Sequence, residues 1–354
     1  MKRRLGVLTL GLAVALSIAL PAGAITDGYP DDEGEYPTVG QFFIYVPDAI
    51  DSRFGPEDPG AWYSCTGTLL SSTVVITAGH CTFGVGMNGD ATNTADFPVV
   101  DGNLWGVGDF EGNGSGGNDI WINFELEPDW DSIPPSTDYY NEDDCPVWDD
   151  DPICETDNEG RYNARVDYLD GTEGTKWIRG TASPHPYYND AAFLLFDLGV
   201  VELGLLEGES TPGGPYADLV GVGGMNKYER NGKNTAKDRF TAVGYGLREI
   251  VPRFEYGDVR YIADGLKIID ATGVLGINER TGWPDTALLF SNNPGKAHRG
   301  GTCFGDSGGP IFNGDGMIAA ITSFGLNQNC KGTGGGYRID KALDQGWLGT
   351  FLDS

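Results

Sequence analysis

No stretch of this chain keeps an apolar stripe at helical spacing for long. Short apolar runs instead alternate with turn clusters, and 55 glycines are spread among 354 residues. T-V-G-Q-F-F-I-Y-V (38–46), I-W-I-N-F-E-L (120–126) and R-F-T-A-V-G-Y (239–245) read as strands. Ile120, Ile122, Phe124 and Leu126 share one face under period-two alternation. Asn313-Gly314-Asp315-Gly316 separates the strand-like P-I-F and M-I-A-A-I, a hairpin turn signal. A helix is expected only at 341–352, short and weakened by Gly346 and Gly349. The chain therefore reads as all-β, with length for one large unit or two smaller domains.

Three residues with complementary chemistry stand in order along it. T-A-G-H-C (77–81) holds His80, and G-D-S-G-G-P (305–310) holds Ser307. Between them, Asp190 opens the apolar run D-A-A-F-L-L, and Asp197 closes it. A serine hydroxyl is a poor nucleophile until a neighbouring base takes its proton. Histidine suits that task because its ordinary pKa of about 6.5 lies near working pH. A carboxylate behind the imidazole fixes its tautomer and stabilises the imidazolium. Asp190 is read as that acid, and Asp197 as the residue that ends the strand. Glycines around Ser307 permit a tight turn and clear the substrate's path, which makes the N–H groups of Gly305 and Ser307 the oxyanion donors. G-D-S-G-G also matches a G-x-S-x-G elbow. That fold needs its histidine after the serine, whereas His80, His185 and His298 all precede Ser307.

Taken together, five segments resemble the chymotrypsin/trypsin-like serine peptidases, the family that supplies the general template for the Ser-His-Asp triad. They are C-T-G-T-L-L-S-S-T-V-V-I-T-A-G-H-C (65–81), Y-Y-N-D-A-A-F-L-L-F-D (187–197), T-A-V-G-Y-G (241–246), G-T-C-F-G-D-S-G-G-P (301–310) and I-T-S-F-G (321–325). The resemblance implies two packed antiparallel β-barrels with the active site between them. It places the first barrel at 25–203 and the second at 204–354. It also implies disulfides Cys65–Cys81 and Cys303–Cys330, which leaves Cys145–Cys154 to close a loop. Ser323 is similar to the family serine that bonds the catalytic aspartate. The pocket floor falls at Gly301, and the walls at Gly325 and Gly335. Three glycines imply a roomy, uncharged pocket for Phe, Tyr, Leu or Met before the scissile bond, since burial rewards apolar surface and penalises an unpaired Lys or Arg.

Lys2, Arg3 and Arg4 precede an apolar run from Leu5 to Leu20, followed by Pro21-Ala22-Gly23-Ala24. This is the pattern of a secretory signal peptide, 1–24, too short for a membrane span. Cleavage after Ala24 leaves Ile25-Thr26-Asp27-Gly28, which looks like the start of mature family members. The resemblance pairs the new Ile25 amine with Asp306. An even count of six cysteines fits an oxidising destination. They show no C-x-x-C or histidine spacing for zinc, so no metal site is read.

Segments 84–118 and 128–160 read as acidic surface insertions on the first barrel, and 204–238 as an insertion in the second. His185, in S-P-H-P-Y-Y, reads as a surface-loop residue, and His298 as structural or solvent-facing. The net charge of −29 opposes binding to nucleic acid and to anionic membranes. No cofactor is expected. The acidic insertions would suit structural calcium, although they lack EF-hand spacing. The expected partners are protein or peptide substrates, with no stable membrane anchor, and nothing in the sequence sets the oligomeric state. The function expected is that of a secreted serine endopeptidase. A silent binding protein on the same scaffold and an esterase are the other readings.

Overall fold

The computed structural model describes residues 28–47, 60–86, 117–130, 132–134, 147–148, 151–152, 158–171, 176–188, 196–226, 240–247, 261–265, 269–270, 286–292, 301–327 and 330–352. Cys145, Cys154, Asp190, Ile25 and His298 lie outside them.

After β1 (Tyr29–Pro30), the first half supplies β2 (Val39–Val46), β3 (Ala61–Leu69), β4 (Val74–Thr77), β5 (Ile120–Asn123), the two-residue pair β6 (Val147–Trp148) and β7 (Asp151–Pro152), β8 (Ile178–Pro184) and β9 (Gly199–Leu203). Six of these close into a barrel in the order β2-β3-β4-β9-β8-β5. Its neighbours are antiparallel throughout; β2 pairs β3 from Val39↔Thr68 to Val46↔Ala61. Phe42, Ile44, Ile76, Ile120, Ile122 and Val200 fill the interior. Ile120 and Ile122 thus share the inner face, as the alternation predicts, but the strand ends at Asn123, before Phe124 and Leu126.

In β2 the in-and-out pattern disappears, because both faces are covered. Helix α1 (Asn158–Leu169) closes over the outside of the barrel. There Phe43, Trp121, Ile133, Leu169 and Trp177 form a second core, and the Arg165 guanidinium lies 5.4 Å from the Phe43 ring centre and 5.2 Å from that of Trp62. The sequence reading missed this helix. Its apolar positions Tyr162, Val166 and Leu169 keep helical spacing, but the neighbouring acids dominate the composition.

The second half forms an eight-stranded antiparallel sheet. Its strands are β10 (Phe240–Gly244), β11 (Tyr261–Gly265), β12 (Ile269–Asp270), β13 (Ala287–Ser291), β14 (Pro310–Phe312), β15 (Ile318–Gly325) and β16 (Thr333–Arg338), together with β1. The order is β1-β11-β10-β14-β15-β16-β13-β12, so among the described residues the second unit is a sheet, while the first is a closed barrel. The turn at 313–316 joins β14 to β15 as its sequence predicts, with Gly316 N–H donating to Asn313 C=O. Helix α2 (Ala342–Leu352) ends the described chain. No helix among the described residues is long and apolar enough to cross a membrane.

Residues 218–226, inside the segment read as an insertion, strap the second sheet. Val220 and Met225 are buried, Val220 N–H donates to Ile318 C=O, and Met225 N–H reaches Asp340 Oδ2 at 2.9 Å. Asp340 also takes the buried Arg338 guanidinium, with Nε at 3.0 Å. Removing one partner of a buried ion pair strands the other. Asp340→Ala is therefore expected to cost about 3–5 kcal/mol in urea unfolding. A change below about 1 kcal/mol would show that the strap is not held this way.

Candidate active site

His80 sits in a single 3-10 turn, Gly79–Cys81, directly after β4. The turn is fixed from two sides. Cys81 is bonded to Cys65 on β3, and Thr82 returns both its N–H and its hydroxyl to Gly79 C=O. The imidazole is partly exposed, and its Nδ1 faces a fully buried carboxylate.

That carboxylate belongs to Asp197. Its oxygens lie 3.1 and 3.0 Å from His80 Nδ1, and Oδ1 also accepts the His80 backbone N–H at 2.9 Å. Ser323 on β15 donates its hydroxyl to Asp197 Oδ2. The position given to Asp190 by the sequence reading is thus taken by Asp197. The reason is strand register. The barrel strand after the acid is G-V-V-E-L, which pairs with β4 from Val74↔Glu202 to Thr77↔Gly199. Asp197 stands two residues before it, level with the His80 turn. The G-V-V-E-L run was the signal available in the sequence, and the longer apolar run after Asp190 obscured it.

Ser307 comes from the second unit, on the turn that enters β14. Its carbonyl accepts Thr66 N–H from β3 at 2.7 Å, and Gly308 N–H donates to Thr322 C=O on β15. Gly308 is required here. Its φ is +81°, and a Cβ would fall 2.0 Å from Thr77 Oγ1 and 2.9 Å from Ala78 N. The serine turn is thereby pressed onto the strand end that leads into His80. Phe304 C=O is engaged by Leu247 N–H, which turns the Gly305 N–H of the same peptide the other way. The N–H groups of Gly305 and Ser307 donate to no group among the described residues, as an oxyanion site needs.

Asp306 is fully buried beneath this turn. Its carboxylate accepts N–H bonds from Gly246 at 2.7 Å and from Cys303 at 2.8 Å. Burial pushes it up to about 7, against the lowering effect of the two backbone bonds. The Cys303–Cys330 disulfide forms as the resemblance implies, joining the serine turn to the loop before β16.

The pocket differs from three open glycines. Gly325 is exposed, but a Cβ on Gly335 would lie 2.1 Å from the Phe324 ring. Beside Gly301 the space is filled by Asn292, buried and donating Nδ2–H to Thr302 C=O. Two of the three glycine sites are thus occupied by neighbouring side chains. His185 is also corrected. It is 1% exposed, stacked on the Phe196 ring and met edge-to-face by Trp347, and burial lowers it to about 4.

The family model described as Trypsin matches residues 284–344. A solved structure of HL collagenase superposes with a TM-score of 0.53 at 14% identity, covering 93% of this chain and 98% of its own. No curated protein matches in sequence.

The raised acids fix the sign of a pH effect. Unfolded, Asp306 loses its proton near 3.8; folded, it keeps it to about 7. Its contribution to stability is full below about pH 4 and is lost as pH rises through about 7. Asp344, pushed up to about 6, acts in the same direction. Unfolding midpoints of the full chain should therefore fall across this range, and Asp306→Asn should flatten the portion nearest pH 7. An unchanged slope in that variant would show that Asp306 does not carry it.

Proposed function

We propose that the chain, which shares its fold with HL collagenase and matches the Trypsin family model over 284–344, is a secreted serine endopeptidase of the chymotrypsin/trypsin-like family working through Ser307, His80 and Asp197. The observation that carries the reading is the buried Asp197 carboxylate against His80 Nδ1, with the Ser307 turn packed on the same strand end.

Ser307 Oγ attacks the peptide carbonyl while His80 accepts its proton. Asp197 holds Nδ1 as the donor and stabilises the imidazolium. The Gly305 and Ser307 N–H groups receive the oxyanion as it forms. His80 then protonates the leaving amine, and water hydrolyses the acyl-enzyme by the same route in reverse. Gly301, Gly325 and Gly335 bring no charge to the pocket, which favours an apolar or aromatic residue before the scissile bond. Signal cleavage after Ala24 would free the Ile25 amine to pair with Asp306. A cation there would stabilise the carboxylate that burial otherwise disfavours.

A fluorophosphonate should add once to the secreted protein and not to Ser307→Ala, with the intact mass starting at Ile25. Turnover should fall below about pH 6–7 as His80 takes up a proton. No adduct on a protein starting at Ile25, or full activity down to pH 4, would contradict the mechanism.

A further inference from the structure

The loop after β8 touches both halves of the His80–Asp197 pair. Tyr188 is buried with its ring against Gly79, where a Cβ would fall 2.6 Å from it, so the loop backs the His80 turn. Three residues earlier, His185 lies against the other half. Its N–H donates to Leu198 C=O, and its ring stacks on Phe196 with centroids 4.9 Å apart and planes 8° apart. Phe196 and Leu198 flank Asp197. Phe196 has φ +56°, a left-handed conformation rare for an aromatic residue and sustained only where the surroundings enforce it.

His185 is in turn held from the C-terminal helix. Its Nδ1 accepts Tyr187 N–H at 3.2 Å, so in the neutral ring Nε2 carries the proton. That Nε2 faces Asp344 Oδ1 at 3.7 Å, with both residues buried. Neither atom has a hydrogen-bond partner among the described residues, while Asp344 Oδ2 accepts Tyr337 Oη–H at 3.0 Å. Trp347, one turn further along α2, meets the His185 ring edge-to-face at 4.8 Å. The charged groups acting on Asp344 are Lys341 and Asp340.

We propose that His185 is a positioning residue for Asp197: set between Asp344 and Trp347 of α2 and the ring of Phe196, it holds the turn that presents the carboxylate to His80. This rests on the reading of His80 and Asp197 as catalytic partners. The C-terminal helix then belongs to the catalytic apparatus without touching substrate. Burial keeps His185 neutral over the working pH range, with its Nε2–H facing Asp344 Oδ1.

The test is the titration of His80 by imidazole NMR in the processed protein, read beside kcat and KM. A carboxylate against Nδ1 raises the pH at which an imidazole charges. Loosening Asp197 should therefore move the His80 titration down. His185→Ala is expected to lower it by about one pH unit and to reduce kcat about tenfold with KM little changed. His185→Phe, which keeps a ring on Phe196, should recover most of both, and Asp344→Leu should shift the titration down in part. A folded His185→Ala with the His80 titration and kcat of the wild type overturns the proposal. Should that variant not fold, an unshifted titration in Asp344→Leu overturns it equally. The titration needs no substrate. If the wild type takes no fluorophosphonate, the peptidase reading fails, and the titration still decides what His185 does.

Discussion

Everything in this site depends on one buried carboxylate. Asp197 is inaccessible to solvent, and a charge placed there is unfavourable unless donors replace the lost water. Three donors do so: His80 N–H, His80 Nδ1–H and the Ser323 hydroxyl. They come from both units, since His80 follows a barrel strand and Ser323 lies on β15 of the second sheet. Satisfying this one acid therefore fixes the two units against each other. It also orients the imidazole, because Nδ1 is committed and only Nε2 remains to act on a serine proton.

The second contact between the units places the nucleophile. Thr66 N–H bonds Ser307 C=O, Thr66 Oγ1 donates to Gly305 C=O, and Thr66 Oγ1 also accepts Tyr245 N–H. Thr66 adjoins Cys65, whose disulfide reaches Cys81 beside His80. The paired strands β3 and β4 of the barrel thus carry both the base and the docking point for the serine turn. The glycine at 308 is the steric condition for that docking, and buried Asp306 anchors the turn from below through Gly246 and Cys303.

His80 and Ser307 were legible in the sequence because each is embedded in a dense local motif whose residues serve the turn itself. Both disulfides at the site and the bond from Ser323 were expected only through the family resemblance that those motifs carry, and the terminal helix from its own residues. Asp197 was not legible. Its neighbours are apolar in both directions, and the choice between it and Asp190 is made by pairing with β4, a non-local fact. His185 looked solvent-facing between a proline on either side, yet α2, from the far end of the chain, buries it. The Asn292 and Phe324 side chains beside Gly301 and Gly335 share that character: each is set by a long-range contact that composition and periodicity do not carry, whereas α1 does keep helical spacing and was hidden by the acids around it.

The most direct test is the rate at which a fluorophosphonate phosphonylates Ser307 in Asp197→Asn and in Asp190→Asn, each checked for folding. If Asp197 orients His80, its amide variant should react slower by about 10⁴-fold, the scale set by losing the acid of such a triad, while Asp190→Asn reacts near the wild-type rate. Wild-type reactivity in Asp197→Asn, with loss in Asp190→Asn, would contradict the account.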